Sequence, residues 1–118
     1  MPSDLLETVR KTALGATPWV IASRDVDLYG WTIINPNTSM VYVKVFKTST
    51  PTVGETVPVT VIPVPGGNAS NAGFSIKEPE RIYRFCDGGM AIAVVTGLLD
   101  SDNTAPASDV YCELVIDL

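Results

Sequence analysis

The stretch from Leu28 to Gly67, LYGWTIINPNTSMVYVKVFKTSTPTVGETVPVTVIPVPGG, decides the fold class. Leu28 to Ile34 and Met40 to Phe46 are rich in β-branched and aromatic residues, which suit a pleated, half-buried strand. Between them lies Asn35-Pro36-Asn37-Thr38-Ser39, built from turn formers: proline lacks an amide donor and Asn tolerates left-handed backbone angles. The spacing predicts a hairpin reversing at Asn37. In that register Ile33 faces Val41, Trp31 faces Val43 and Tyr29 faces Val45, so one face is wholly apolar or aromatic and is the expected core. The other face carries Leu28, Gly30, Thr32 and Ile34 beside Met40, Tyr42, Lys44 and Phe46. It is too apolar for a solvent-facing sheet, which implies a cover: an element of the same chain, a sister subunit or a partner.

Further strands follow outward from this stretch. Trp19 to Ser23 precedes it, and Pro58 to Val64, bracketed by prolines, reads as an edge strand. Phe74 to Ile76, Ile82 to Cys86, Met90 to Thr96 and Val110 to Ile116 complete the set, with Asp87-Gly88-Gly89 expected as a hairpin turn. Polar loops cover Gly66 to Gly73 and Asp100 to Asp109. The expectation is all-β: a single antiparallel β-sandwich over residues 19–118, of which the jelly roll is one form. Residues 1–18 differ. Ser3, Leu5, Leu6 and Val9, with Asp4 and Glu7 early and Arg10 and Lys11 late, suit a short helix or N-terminal arm, hinged at Gly15 to Pro18. Such a segment either docks on its own domain or reaches a neighbour.

Composition narrows function by exclusion. The chain has 118 residues, 46% of them apolar, enough for one folded domain without a disulfide or metal. Thirteen acidic against eight basic residues leave a net charge of −5, with no cationic block, so nucleic acid is not an expected partner. No signal peptide and no apolar run of membrane-spanning length are visible, so synthesis in the cytosol and no membrane contact are expected. There is no histidine, which removes the Ser-His-Asp and Cys-His nucleophile systems and the usual zinc sets. Cys86 and Cys112 are either cross-sheet neighbours or buried apolar thiols.

Other chemistry fares no better. Asp25 with Asp27, Glu78 with Glu80 and Asp100 with Asp102 are carboxylate pairs, but each suits a solvated turn better than a glycosidase dyad. The run Asp100 to Asn103 lacks the glycine and closing glutamate of a calcium-binding EF-hand, since Ala105 and Tyr111 stand there. Gly66-Gly67 and Gly88-Gly89 lead into no phosphate-binding helix. No enzyme activity and no cofactor are expected.

Six elements in the opening stretch resemble a pattern of small tailed-bacteriophage structural proteins. These are Tyr29-Gly30-Trp31, Asn35-Pro36-Asn37, Tyr42 to Phe46, Pro51 to Gly54, Pro58, and Ile62 to Gly67 with its prolines. The resemblance implies a virion component, most specifically a capsid decoration or cement protein on the capsid surface. Its partners would be the major capsid protein and itself, as a homodimer or homotrimer. A tail or fibre component and a carbohydrate- or receptor-binding β-sandwich module are the alternatives. Leu5, Leu6 and Val9 are expected to anchor the arm, and Leu28, Tyr42, Lys44 and Phe46 to meet a sister subunit or the capsid.

Overall fold

The computed structural model describes residues 6–68 and 70–118. Among the described residues nine strands form: β1 Leu6–Leu14, β2 Trp19–Ala22, β3 Val26–Asn35, β4 Val41–Phe46, β5 Thr60–Val64, β6 Gly73–Lys77, β7 Arg84–Cys86, β8 Met90–Val95 and β9 Val110–Asp117. They make two sheets in which every pairing is antiparallel. One has the order β1-β9-β3-β6, with β7 also on β3; the other has the order β2-β8-β4-β5. The result is a β-sandwich whose core lies between the sheets. Val26, Leu28, Trp31, Ile33, Cys112, Leu114 and Ile116 from the first sheet meet Val41, Val43, Val45, Met90, Ile92 and Val94 from the second.

Three expectations need correction. The first is the hairpin: β3 and β4 lie in different sheets and do not pair. The Asn35 to Ser39 segment is an arch across the sandwich, so Ile33 and Val41 share the core without sharing a ladder. The physical reason is the fully buried Asn35. Its Nδ2 donates to the carbonyls of Ser39 (3.0 Å), Val64 (3.3 Å) and Pro65 (3.1 Å), and its Oδ1 accepts from the amide of Asn37 (2.9 Å). A buried amide must have its hydrogen bonds made, and here they join the arch to the end of β5. The amide of Gly67 donates to the Asn37 carbonyl at 3.0 Å, and Gly66 lies so close to Thr38 that a Cβ would meet its carbonyl oxygen. The Asp87 to Gly89 turn likewise leads from β7 in one sheet to β8 in the other.

The second correction concerns the N-terminus. Residues 6–14 are a strand, not a helix, and pair along β9 from Leu6↔Asp117 to Leu14↔Val110. Charges ordered as for a helix dipole are outweighed by the open edge of β9, whose backbone groups need partners. Leu14 is fully buried and Val9 packs against the core, so this segment docks on its own domain. Leu5 lies outside the described residues.

The third concerns Leu28. A bulge between Leu28 and Gly30 adds Tyr29 to β3 relative to β9. An extra residue reverses the alternation. Val26 and Leu28 before it, and Trp31 and Ile33 after it, therefore all point inward. Gly30 is required here for another reason: a Cβ would collide with the Lys77 carbonyl oxygen, where the chain leaving β6 crosses β3.

Candidate interaction surface

The outer faces of the two sheets are treated differently by the chain. On the second sheet, Lys44, Phe46, Ala91, Ala93 and Val95 alternate outward yet have no exposed surface. Two connections cover them, residues 47–59 and 96–109, which meet where Gly54 packs against Ser101 and Asn103. Lys44 organises this cover. Its Nζ donates to the carbonyls of Leu99 (2.6 Å), Asp102 (2.9 Å) and Asp100 (3.3 Å), so all three protons of the ammonium are used. Asp102 closes the same loop: its Oδ2 accepts from the Leu99 amide at 3.1 Å and its own amide donates to the Leu99 carbonyl at 3.0 Å. Outside this braced loop, Leu98 and Leu99 stand exposed at 59% and 68%.

Lys44, Phe46 and Leu28 thus present nothing to a partner, since their own chain already occupies them. Tyr42 is half-buried on the same outer face; Leu6 and Val9 are half-buried on the far sheet. Of the residues expected to meet a sister subunit or the capsid, Tyr42 alone keeps exposed surface, and the expected arm anchors Leu6 and Val9 lie on the other sheet. The apolar second face is covered by loops of the same chain.

Uncovered apolar surface lies on the outer face of the first sheet instead. Directly paired residues point to the same side, so the registers Ile34↔Tyr111, Ile34↔Phe74, Thr32↔Glu113 and Thr32↔Ile76 lay out two adjoining rows. One reads Tyr111, Ile34, Phe74; the other reads Arg10, Glu113, Thr32, Ile76. Exposure is 39% for Ile34, 60% for Phe74 and 58% for Ile76. These three sit together at the β6 edge on a rigid ladder, and polar and charged residues flank them. Ile34 was legible as a member of an outward face. The Phe74-Ser75-Ile76 alternation was the signal for the rest, and its brevity concealed it.

Other features offer less chemistry. Tyr29 and Trp31 are buried, and Trp31 stacks edge-on against Tyr83 at 4.8 Å, so neither serves as a stacking platform. An open cleft of about 360 Å³ lies beside the arch, among Asn37, Thr38, Met40 and Pro106. Its rim is fixed by Asn37, whose side chain both donates to and accepts from the backbone of Ser108. Asp27 pairs across from Asp117 with its Oδ1 unpartnered, and burial, then the Asp117 and Asp25 carboxylates, push its carboxyl above the usual range. No cluster of three or more metal-capable side chains occurs among the described residues. Cys86 and Cys112 are buried free thiols against opposite ends of β3, beside Val26 and Ile33, so they are not cross-linked. Burial pushes both thiols up, Cys112 to about 12.

No protein-family profile matches the chain, and neither curated proteins nor solved structures yield a match to it.

Proposed function

We propose that this chain is a structural protein of a virion, specifically a capsid decoration protein that works by surface contact across the joints between major capsid subunits. The observation that carries the reading is the exposed Ile34, Phe74 and Ile76 strip, displayed on a rigid sheet while the opposite sheet is sealed by its own loops. A contiguous apolar strip with polar flanks is what a protein contact site needs.

Strand order supports the same reading. With β6 and β7 taken as one interrupted strand, the first strand pairs the eighth, the second the seventh, the third the sixth and the fourth the fifth. That order is the one expected of a long hairpin rolled into two sheets, and it supports a jelly roll, an architecture used by viral capsid proteins and by lectins. The phage-like elements also gain a shared physical role, since Asn35, Asn37, Pro65, Gly66 and Gly67 together close one end of the sandwich. A decoration protein of this kind stabilises a shell by about 25 cal/mol per Å² of apolar surface it buries, less the costs of association. Repetition over symmetry-related sites multiplies a modest contact.

Carbohydrate or receptor binding is the second reading, favoured by the cleft beside the arch. Its lining holds no aromatic ring on which a sugar would stack. Co-sedimentation of the purified protein with undecorated capsids separates the two. Saturable binding at a fixed ratio to the capsid subunit, weakened by Phe74→Asp, is the expected result; binding to glycans with no affinity for capsids would overturn it.

A further inference from the structure

We infer that β6 is a self-pairing edge, through which two copies of this chain join their first sheets across a two-fold axis at Ser75. The inference rests on the proposed function and deepens it: the occupant of the Ile34, Phe74 and Ile76 strip is a second copy of this chain, so the strip strengthens capsid attachment by joining two copies and not by touching the capsid subunit itself. Among the described residues the backbone of β6 pairs only with β3, so its other edge is an open ladder. Open edges that natural proteins leave unpaired are blunted by charge, and the opposite edge of this sheet follows that rule: β1 carries Glu7, Arg10 and Lys11. The β6 edge carries a single charge, Lys77 at its end, and displays Phe74 and Ile76 along its middle.

The two apolar residues stand symmetrically about Ser75. Antiparallel pairing of β6 with a second β6 therefore places Phe74 opposite the partner's Ile76, and Ile76 opposite the partner's Phe74, on one face of a continuous sheet. Ile34 extends the cluster from each side, because it pairs with Phe74. Such an isologous contact closes on itself and forms a dimer, not a filament. A head-to-tail contact of β6 with β1 would set the same residues beside Thr8 and Arg10, with only the half-buried Leu6 at the end of that row as an apolar partner.

The area is adequate. Side chains of this size each present about 150–200 Å² when free. At the exposures given above, Ile34, Phe74 and Ile76 offer about 240–310 Å² per copy by that scale, or roughly 470–630 Å² for the pair. A standard stable interface buries about 1,600 Å² in all, much of it polar rim and backbone. The strip is the right size for the apolar centre of such an interface, and the edge ladder supplies hydrogen bonds beside it.

The test is the mass of the free protein in solution by light scattering or sedimentation, for the wild type and the double variant Phe74→Asp, Ile76→Asp. A wild-type dimer whose mass halves in the variant, with its circular dichroism unchanged, is the expected outcome. Should the variant fail to fold, oxidation of Phe74→Cys, Ile76→Cys decides, since the register predicts a covalent dimer while Cys86 and Cys112 stay buried. A wild-type monomer or trimer, a dimer that survives the double variant, or no cross-link from the folded cysteine variant would overturn the inference. A monomer that still binds capsids overturns only the self-pairing; a dimer that ignores them overturns only the capsid reading.

Discussion

Replacing Lys44 by Met tests whether one buried ammonium holds the 96–104 loop. Met keeps most of the side-chain stem, so the strand packing around β4 is retained. What it removes is three donated hydrogen bonds, at 2.6, 2.9 and 3.3 Å, to the carbonyls of Leu99, Asp102 and Asp100. Hydrogen bonds from a charged donor contribute about 1.5–3 kcal/mol each, but desolvating the ammonium costs several kcal/mol, so the intact side chain is far from the sum of its bonds. The substitution relieves that desolvation and leaves the Asp100 and Asp102 carbonyls without this donor, at about 1–3 kcal/mol for each that water cannot reach, while the Leu99 carbonyl keeps the Asp102 amide. The loop lies at the surface, and water reaches some of them. A net loss of about 2 kcal/mol follows, or a fall in Tm of roughly 8 °C for a domain of this length. Thermal denaturation gives the total. Hydrogen exchange gives the location: the amides of Thr96, Leu99 and Asp102, which bond within the loop, should lose protection while β4 and β8 keep theirs. A Lys44→Met protein with wild-type Tm and fully protected loop amides would refute the carbonyl cage as the cause of loop order.

Asn35→Ala should lower stability by about 3 kcal/mol by leaving the arch and the end of β5 without their shared donor, seen as a lower urea midpoint at unchanged m-value; an unchanged midpoint would count against the arch clasp. Asp27→Asn should raise Tm at neutral pH. Burial and neighbouring carboxylates raise the folded-state pKa of Asp27, so its ionisation destabilises the native protein above that pKa. The penalty fades as pH falls through the folded value and vanishes below the ordinary 3.8, so the gain from Asn should shrink in acid; a gain that grows in acid would refute the assignment. Cys86 and Cys112 should resist a thiol reagent at neutral pH and react on denaturation, because burial removes both access and thiolate. Rapid labelling of the native protein would contradict their placement.

Strand positions were largely legible, and strand partners were not. Trp31 and Ile33 alternate toward a core just as Val41, Val43 and Val45 do, whether the two strands pair or face each other across a sandwich. What separates the two cases is Asn35, whose bonds reach Val64 and Pro65, about thirty residues along the chain. Residues 6–14 illustrate a second limit. Their charge order matches a helix dipole, but an unpaired β9 edge competes for the same backbone, and long-range pairing prevails over weak local preference. Three residues expected at an interface, Leu28, Lys44 and Phe46, are buried for two further reasons. A one-residue bulge at Tyr29 turned Leu28 inward. Loops with no periodicity of their own cover Lys44 and Phe46, and nothing local in the sequence announces a cover.

The most direct measurement is quantitative mass spectrometry of purified virions that carry this gene, with the chain counted against the major capsid subunit. The account predicts a fixed ratio set by capsid symmetry, and protection of the Phe74 and Ile76 region from surface labelling in the assembled particle. Absence from the virion, or presence in only the few copies of a tail component, would contradict it.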